Sequence, residues 1–491
     1  MDAIATGLEL LHDLALSALR EGPEPPAESL DWNEAYAYTL GVQAYIWGFP
    51  WLYLAQLRWL WTSPAGHALA QAQGLSLPHA PINRFFNSKA LASPATQTGG
   101  SPNVDTLYST AWVELSGGPM VLSVPAVPDR YYSMEIACMD ADNLAYVGTR
   151  STGTAPGNYL IAGPGWNGDV PPDVLDILPR SRTPSLFVLG RTGVNNKSQA
   201  DLDAAHAVQA GYQLRPLSTY PAIPPAHPTH AQVPLGIDNS NPLGKWLTMN
   251  RAMTENPPGV PPGISQSQLL ALFATIGIGP NQDLERQSPA TRHGLWRAAK
   301  KGYELLNEMT EGRGKTVNGW QYPPRDYGEA GQNQDYITRA ALQALAGIVA
   351  NDPVEAVYIN TWVDSNGQGL TGAGGSRYVL RFSQNGFPPY DAKMHGFWSV
   401  TLYDNTYNLV PDSTHYSVNS YDSEYQARDS DGGMTIVIQQ EEPTGLQPGQ
   451  YWLQSPPSDF FMILRVYIPG PEVSNTQTWE PPAVKKSETD R

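Results

Sequence analysis

The chain has 491 residues, and its 46 Asp and Glu outnumber its 30 Lys and Arg, which gives a net charge of −16 at pH 7. A chain this acidic repels nucleic-acid phosphates and anionic lipid, so neither is expected as a partner. The length exceeds that of one ordinary core and predicts two or more folded units. The one cysteine, Cys138, excludes an intramolecular disulfide and a zinc site built on several thiolates.

The composition predicts an α+β protein that is mostly β. Gly and Pro number 45 each, and both resist helix and favour turns and strand ends. Hydrophobic residues make up 41% of the chain, including 14 Trp and 25 Tyr, which is enough for large buried cores. The aromatic content also favours a homo-oligomer, because aromatic residues are enriched at protein interfaces.

Residues 1–34 are predicted to form an N-terminal helix and a linker. Residues 1–22 have the spacing of an amphipathic helix, which is interrupted by Glu9 and Asp13 and lacks the basic start of a signal peptide. We therefore expect a soluble protein that is either cytoplasmic or a processed exported form. No run of about 20 apolar residues occurs, so no membrane association is expected.

A second helix is predicted to begin at Asp31, because Glu34 follows three residues later as in a capping box. It runs to about Leu60, and Gly48 with Pro50 predict a kink near its middle. Four more segments have helical spacing, and proline clusters lie between some of them. These segments are 198–214, 266–276, 290–310 and 335–350.

Short apolar or alternating segments predict antiparallel strands in two regions of the chain. The predicted strands are Met120–Val124, Tyr131–Ile136, Tyr159–Ile161 and Leu186–Leu189 in the first region, and Tyr378–Phe382, Phe397–Tyr403, Thr435–Gln439 and Phe460–Ile468 in the second. The resulting domains are a β-rich module with helices (35–215), a helical and proline-rich connector (216–354) and a jelly-roll-like antiparallel β-sandwich (355–485), followed by a tail (486–491).

No cofactor is predicted. Residues 163–168 (GPGWNG) match the glycine pattern of dinucleotide-binding proteins, but DVPPD follows instead of a helix, so we interpret them as a hairpin turn. A divalent cation stays open as an alternative at Asp140, Asp142 and Asn143. Their oxygen atoms are suitable ligands, although their spacing is not diagnostic.

The candidate catalytic residues are Asp105, Tyr108, Arg130 and Arg150, with Asn103 beside them as a substrate-binding residue. Carboxylate, phenol, guanidinium and amide groups here fall within one strand-rich stretch. If neighbouring strands pair, Asp105 faces one of the two arginines, and a cation beside a carboxylate keeps it ionised as a base. The alternative is a buried ion pair that orders a loop.

Five further residues are candidates for substrate binding. Trp112 and Trp398 are expected to line an aromatic cleft, with Tyr132 from the first β-region, although buried structural tryptophans are the common alternative. Arg381 and His395 lie on or beside predicted strands of the second region. Histidine titrates near neutrality, but a lone histidine beside aromatic residues is more often part of a core.

The motifs YxWGFP, SPNVDTLYSTAWVELS, DRYYSMEIACMDADN and GTRSTG resemble domain of unknown function 1254. The motifs YVLRF, PPYDAKMHGFWSVTLYDNTYNLV, LRVYIPG and WEPPAV resemble domain of unknown function 1214. The resemblance covers roughly residues 35–215 and 355–485 and implies two such modules joined by a helical connector. The resemblance implies that many relatives carry export signals, and we expect none in this sequence. Five of the candidate residues match motif positions of the family: Asn103, Asp105, Tyr108, Arg130 and Arg150.

Two functions are compatible with these residues. The first is a cofactor-free hydrolase or lyase that acts on a small neutral, ring-bearing or sugar-like substrate. In it Asp105 is the acid or base, Arg130 or Arg150 stabilises negative charge, and Tyr108 with Asn103 positions the substrate. The second is a non-catalytic protein that binds carbohydrate or another chain through its sheet edges and aromatic surfaces.

Overall fold

The computed structural model describes residues 31–95, 100–195, 198–223, 231, 233–234, 241–259, 266–310, 312 and 314–487. The predicted helix at 1–22 lies outside this range. Helix accounts for 29% of the chain and strand for 24%, arranged mainly in antiparallel sheets, so the α+β class is confirmed with slightly more helix than strand. No described helix is long and apolar enough to cross a membrane.

The longest helix, α1 (Trp32–Thr62), begins where the sequence predicts. The Asp31 side chain caps it by accepting a hydrogen bond from the backbone N–H of Asn33, at 3.2 Å. Glu34 does not close a capping box. Its carboxylate binds the Arg297 guanidinium at 2.7 Å instead and so joins α1 to another helix.

Seven further helices follow in the described residues, of which three, α2, α4 and α8, were not predicted. They are α2 (Pro64–Ala72), α3 (Gln199–Gly211), α4 (Gly244–Glu255), α5 (Ser267–Ala274), α6 (Pro289–Glu308), α7 (Tyr336–Thr338), which continues as a π-helix (Arg339–Ala346), and α8 (Pro471–Ser474). Short 3₁₀ turns cover Leu217–Thr219, Leu284–Arg286, Ala373–Gly375, Ala392–Met394 and Ser423–Tyr425. The helices of the predicted connector share one apolar core with α1 and therefore form a helical layer.

The N-terminal module contains two sheets. Its strands are β1 (Phe86–Asn87), β2 (Thr106–Glu114), β3 (Met120–Val124), β4 (Tyr132–Cys138), β5 (Asn143–Gly148), β6 (Gly157–Ile161), β7 (Ser185–Gly193) and β8 (Gln213–Pro216). A five-stranded sheet has the order β1-β2-β7-β4-β5, and a three-stranded sheet has the order β6-β3-β8. The two sheets enclose an apolar core, so the antiparallel sheet pattern predicted here is confirmed.

The C-terminal module is a sandwich of two sheets. Its strands are β9 (Thr316–Val317), β10 (Trp320–Gln321), β11 (Ala356–Thr361), β12 (Arg377–Phe382), β13 (Phe397–Asp404), β14 (Ser417–Asn419), β15 (Met434–Gln439), β16 (Gln450–Gln454), β17 (Phe460–Tyr467) and β18 (Lys485–Ser487). The six-stranded sheet has the order β14-β13-β17-β11-β10-β9 and the four-stranded sheet β16-β15-β12-β18. Only β15 and β16 pair in parallel, and this order does not by itself establish a jelly roll.

Strand β17 is buried on both faces, and its two faces contact different parts of the protein. Met462, Leu464 and Val466 point into the core of the sandwich. Arg465 and Tyr467 alternate with them and point to the opposite face, since successive side chains of a strand alternate. That outer face lies against the N-terminal module, because Tyr467 there contacts the ring of Tyr131.

One face of the five-stranded sheet is divided between two neighbours. At one end Trp112, Ala137 and Phe187 pack on the helical layer. Further along the same face, Tyr108 and Arg191 lie opposite each other on β2 and β7. This polar end meets the outer face of the six-stranded sheet.

We predict that Gly294→Ala lowers the free energy of unfolding by about 1–3 kcal/mol, the range for overpacking a close contact. A Cβ at Gly294 in α6 would lie 2.4 Å from the backbone oxygen of Glu34 in α1, so the two helices would have to separate. Urea unfolding measures the change. Gly117→Ala is the control, because nothing lies within 4 Å of its Cβ, and an equal loss in both variants would contradict the prediction.

Candidate functional site

A group of polar side chains is buried where the two modules meet. Arg465 on β17 is only 3% exposed. It pairs in register with Tyr358 on β11 and with Ser399 on β13. Its guanidinium lies 5.9 Å from the ring centre of Tyr358 and 5.5 Å from that of Tyr403. The arginine is thus held between aromatic rings of its own sheet.

The Arg465 guanidinium uses little of its hydrogen-bonding capacity. Its Nη2 donates to the backbone oxygen of Ser101 at 2.9 Å. Its Nη1 is buried and has no hydrogen-bond partner among the described residues. Burial lowers the pKa of Arg465, but the Tyr403 and Tyr467 phenols and the Asp105 carboxylate raise it by more. The net shift is upward, so Arg465 stays charged.

A second buried arginine, Arg191 on β7, approaches from the N-terminal module. Its Nη1 donates to Glu135 Oε2 at 2.6 Å and to Asn351 Oδ1 at 3.1 Å. Its Nε has no partner within the described chain. The guanidinium lies 6.0 Å from the ring centre of Tyr108. Burial lowers the pKa of Arg191, but Glu135 and the phenols of Tyr358, Tyr108 and Tyr467 together raise it by more, so the pKa lies well above its ordinary value.

Two asparagines orient the phenols of this region. The amide of Asn351 donates to the Tyr358 hydroxyl oxygen at 2.7 Å, and the amide of Asn103 donates to that of Tyr467. Each amide oxygen is fixed in turn, because it accepts from Arg191 or from the backbone N–H of Asp105. Since both phenol oxygens already accept a hydrogen bond, their O–H groups remain available as donors.

We define the interface site as Tyr108, Arg191, Tyr358, Arg465 and Tyr467. Tyr108 and Tyr358 are partly exposed, whereas the other three side chains are buried. Burial raises the pKa of Tyr108, and the charges of Arg191 and Arg465 oppose this shift, which shows that the groups influence one another. The site therefore presents hydrogen-bond donors and positive charge below two partly exposed rings.

Comparison with known families identifies the two modules. Residues 82–216 match the family model "Protein of unknown function (DUF1254)" and residues 355–471 match "Protein of unknown function (DUF1214)". The chain joins a DUF1254 module to a DUF1214 module. The interface site draws Tyr108 and Arg191 from the first and Tyr358, Arg465 and Tyr467 from the second. No curated protein matches the chain.

One solved structure shows the same fold. The crystal structure of the VPA0106 protein from Vibrio parahaemolyticus is 22% identical, with a TM-score of 0.68, over 92% of this chain and 100% of that chain. An uncharacterized protein from Burkholderia cenocepacia is 13% identical over 98% of this chain and 94% of that chain. The TM-score of that comparison is 0.41.

The predicted base Asp105 lies beside the interface site, but it does not contact Arg130 or Arg150. Its carboxylate, 1% exposed, accepts hydrogen bonds from Ser399 and Tyr421 of the DUF1214 module, each at 2.7 Å. Both oxygens are therefore occupied, and Asp105 joins the two modules. The predicted pairing of Asp105 with Arg130 or Arg150 is wrong, because the groups that bind the Asp105 carboxylate are hydroxyls.

The two predicted arginines have other carboxylate partners. Arg130 is buried and pairs with Asp201 at 3.0 Å, at the junction of the sheet with α3. Arg150 is partly exposed and pairs with Glu355 of the DUF1214 module at 2.5 Å. The other oxygen of Glu355 accepts from the Tyr131 hydroxyl at 2.7 Å. Arg150 thus belongs to a second polar contact between the modules.

Three predicted aromatic binding residues are part of cores. Trp112 is 3% exposed and packs on Phe187, with ring centres 4.7 Å apart. Trp398 is 1% exposed within the DUF1214 sandwich. Tyr132 is buried and donates to the backbone oxygen of Gly153 at 3.0 Å. Trp112 lines only a small pocket of about 10 Å³ that contains no residue of the interface site, and the other two lie in cores, so the three do not line one aromatic cleft.

Arg381 and His395 lie apart from the interface site. The Arg381 guanidinium binds Asp429 and Asp431 and lines an open groove of about 400 Å³ beside β18. His395 is partly exposed and ends a 3₁₀ turn with a φ of 57°. Neither side chain has a described hydrogen bond to a residue of the interface site.

The proposed cation ligands bind protein groups. The Asp140 oxygens accept from the Arg182 guanidinium at 3.0 and 3.1 Å. Asp142 Oδ1 accepts from the Gln343 amide at 3.0 Å, and the Asn143 amide donates to the backbone oxygen of Ala350 at 2.6 Å. Within the described ranges, no group of three or more His, Cys, Asp or Glu side chains is arranged to hold a metal ion.

The sequence contained an unused signal for the residues that were missed. Arg465 interrupts the apolar strand FFMILRVY, and Arg191 follows the apolar segment SLFVLG. A charged residue inside a strand that is buried on both faces needs a partner or a ligand. Tyr358 and Tyr467 offered no such signal, because tyrosine is common in strands.

We predict that Asp105→Asn lowers the free energy of unfolding by about 1–3 kcal/mol, the range for a buried group left unpaired. An amide has one acceptor oxygen, so either Ser399 or Tyr421 would lose its acceptor. Thermal and urea unfolding measure the change. The exposed Asp169→Asn is the control, and unchanged stability in Asp105→Asn would contradict the prediction.

A pH effect is predicted for Asp142. Burial, and then the charge of Asp140, raise the pKa of Asp142 from 3.8 to about 7, so the folded state favours the protonated carboxyl. The resulting stabilisation is complete below about pH 4 and is lost as the pH rises through about 7. The asparagine side chain in Asp142→Asn cannot ionise. The stability of this variant should therefore fall less between about pH 4 and pH 7 than that of the unaltered protein. The difference between the two should be at most about 1.4 kcal/mol per unit of pKa shift. Parallel pH profiles of the two proteins would contradict this.

Proposed function

We propose that the protein is a cofactor-free enzyme of the hydrolase or lyase class and that its reaction takes place at the interface site. The observation that carries the proposal is the unpartnered Nη1 of the buried Arg465, below the partly exposed rings of Tyr108 and Tyr358. A buried donor without an acceptor costs about 1–3 kcal/mol. Such a cost is typical of a functional group that awaits a ligand.

The donors suit reactions in which negative charge develops on a substrate oxygen. Hydrolysis and elimination both pass through such a stage, and fixed donors in a site of low dielectric stabilise it. The O–H groups of Tyr358 and Tyr467 are available because asparagines bind their oxygens from the other side. In the proposed mechanism these phenols and Arg465 bind the developing oxyanion.

Tyr108 is the proposed general acid. Its pKa is raised, chiefly by burial, so its phenol is protonated at neutral pH. The side chain is partly exposed and lies near the Arg191 guanidinium, so it is accessible to a bound substrate. It would donate a proton to the leaving-group oxygen, as positioned phenols do in general acid catalysis, and the resulting phenolate would take up the proton released by the attacking water in hydrolysis or by the substrate carbon in elimination.

Asp105 and Arg150 are proposed as positioning residues. The backbone N–H of Asp105 binds Asn103 Oδ1 at 2.7 Å and so turns the Asn103 amide towards Tyr467. Arg150 holds Glu355, which binds Tyr131 beside Tyr467. Each residue therefore acts on the interface site through another side chain.

The rings of Tyr108 and Tyr358 favour a small ring-bearing or sugar-like organic substrate, because partly exposed aromatic side chains form stacking surfaces. The alternative of a non-catalytic carbohydrate-binding or assembly protein has less support. That alternative would use sheet edges and aromatic surfaces, and it does not account for the buried Nη1 of Arg465, which has no partner among the described residues.

We predict that Tyr358→Phe lowers kcat by about 10²–10³-fold, the effect of removing one donor to an oxyanion. The assay is turnover on panels of hydrolysable esters and of substrates that undergo elimination. Tyr451→Phe is the matched control, because this partly exposed tyrosine lies on β16 in the four-stranded sheet and binds the backbone oxygen of Ala427. Full turnover by Tyr358→Phe on every accepted substrate would contradict the proposed role.

A further inference from the structure

We propose that the interface site recognises a carboxylate group on a ring-bearing organic molecule, bound at Nη1 of Arg465. This inference rests on the proposed function, because it names the class of substrate for the same site. It differs from the sequence-based expectation of a neutral substrate. Three independent features of the described residues support it.

The first feature is the excess of hydrogen-bond donors. Arg465 Nη1 and Arg191 Nε carry N–H groups without partners, and Tyr358 and Tyr467 carry O–H groups whose oxygens already accept. The nearest carboxylate on this side, Asp105, has both oxygens occupied by hydroxyl groups. A ligand that completes such a site has to supply acceptors, and a carboxylate supplies two oxygens with about four acceptor positions.

The second feature is the absence of a contacting counter-ion. Among the described residues, no carboxylate forms an ion pair with Arg465, although the side chain is almost fully buried. Buried charges are normally paired or bind a ligand. By contrast, the buried Arg130 and Arg191 each have a carboxylate partner within 3.0 Å. Arg465 is therefore suited to receive its counter-ion from outside the chain.

One buried acceptor, Oε1 of Glu135, also has no partner among the described residues. Burial raises the pKa of Glu135, and the charge of Arg191 opposes this shift. The other oxygen, Oε2, accepts from Arg191 Nη1 at 2.6 Å, so the Glu135 carboxylate is the partner of Arg191 and forms no described ion pair with Arg465.

The third feature is the pair of partly exposed rings. The Tyr358 ring lies 5.9 Å from the Arg465 guanidinium carbon, and the Tyr108 ring lies 6.0 Å from that of Arg191. Each guanidinium therefore lies beside the ring of a partly exposed tyrosine, so a ligand that combines a ring with a carboxylate matches both groups. Arginine pairs well with both carboxylate and phosphate, so the test has to separate these two anions.

The test uses three fluorinated probes and ¹⁹F NMR on the full chain. The probes are 4-fluorobenzoate, 4-fluorobenzamide, which has the same shape without the charge, and 4-fluorophenyl phosphate. We expect the benzoate to bind and the benzamide not to bind. Stronger binding of the phosphate than of the benzoate would contradict the choice of carboxylate.

The decisive variant is Arg465→Met, which keeps an unbranched side chain as far as the position of Nε and removes all the donors. We expect the dissociation constant for 4-fluorobenzoate to rise by tenfold or more, the effect of losing a charge-assisted hydrogen bond. Arg428→Met is the matched control, because Arg428 also lies over an aromatic ring, at 5.0 Å from Phe387, and donates to backbone oxygens outside the interface site. Equal affinity of Arg465→Met and the unaltered protein would overturn the inference.

A second variant covers the case in which Arg465→Met does not fold. Tyr358→Phe keeps the ring and removes one of the O–H donors of the site, and we expect it to weaken benzoate binding several-fold while the protein stays folded. Unchanged binding by this variant would then overturn the inference. Equal binding of the benzoate and the benzamide, or no binding of any probe at millimolar concentrations, would overturn it as well.

The results also separate this inference from the proposed function. Benzoate binding that depends on Arg465, without turnover of any ester or eliminating substrate, would support the carboxylate site and contradict the enzyme. Turnover of a neutral substrate that depends on Tyr358, without benzoate binding, would support the enzyme and contradict the carboxylate site.

Discussion

The structure depends on the burial of one sheet face by another. The outer face of the six-stranded sheet in the DUF1214 module is covered by the DUF1254 module, so polar side chains on that face lose contact with water. Such groups need hydrogen-bond partners, because an unpaired buried polar group is costly. Asp105 finds Ser399 and Tyr421, Asn103 finds Tyr467, and Arg150 finds Glu355. Most polar groups of the contact are thereby paired across the two modules.

The interface site is where this pairing is incomplete. Arg465 and Arg191 bring two guanidinium groups to the polar end of the five-stranded sheet, and each retains an N–H without a partner. α1 covers the apolar end of the same face, with Trp112 and Phe187 against the helical layer. The two neighbours of the sheet thus divide its face into a structural half and a polar half. The proposed chemistry uses only the polar half.

Local pattern was sufficient for much of the fold and for little of the site. Alternation and flanking turns located Met120–Val124 at its observed bounds, and the Asp31 cap located the start of α1. α4 was missed although Trp246, Met249 and Met253 in GKWLTMNRAMTE have helical spacing and are buried. Arg381 and Arg465 both interrupt apolar strands, yet the face of β12 that carries Arg381 meets solvent, whereas that of β17 meets the other module. A strand pattern shows which side chains share a face, but long-range packing decides what covers it.

The most direct measurement is a crystal structure of the protein soaked with 4-fluorobenzoate. A carboxylate within hydrogen-bond distance of Arg465 Nη1, with its ring between Tyr108 and Tyr358, is the predicted result. The opposite result is an interface site in which Arg465 Nη1 binds another group of the protein and the probe occupies a different place, such as the groove beside Arg381. That result would mean that the contact between the modules is structural and that the function has to be sought on the outer surface.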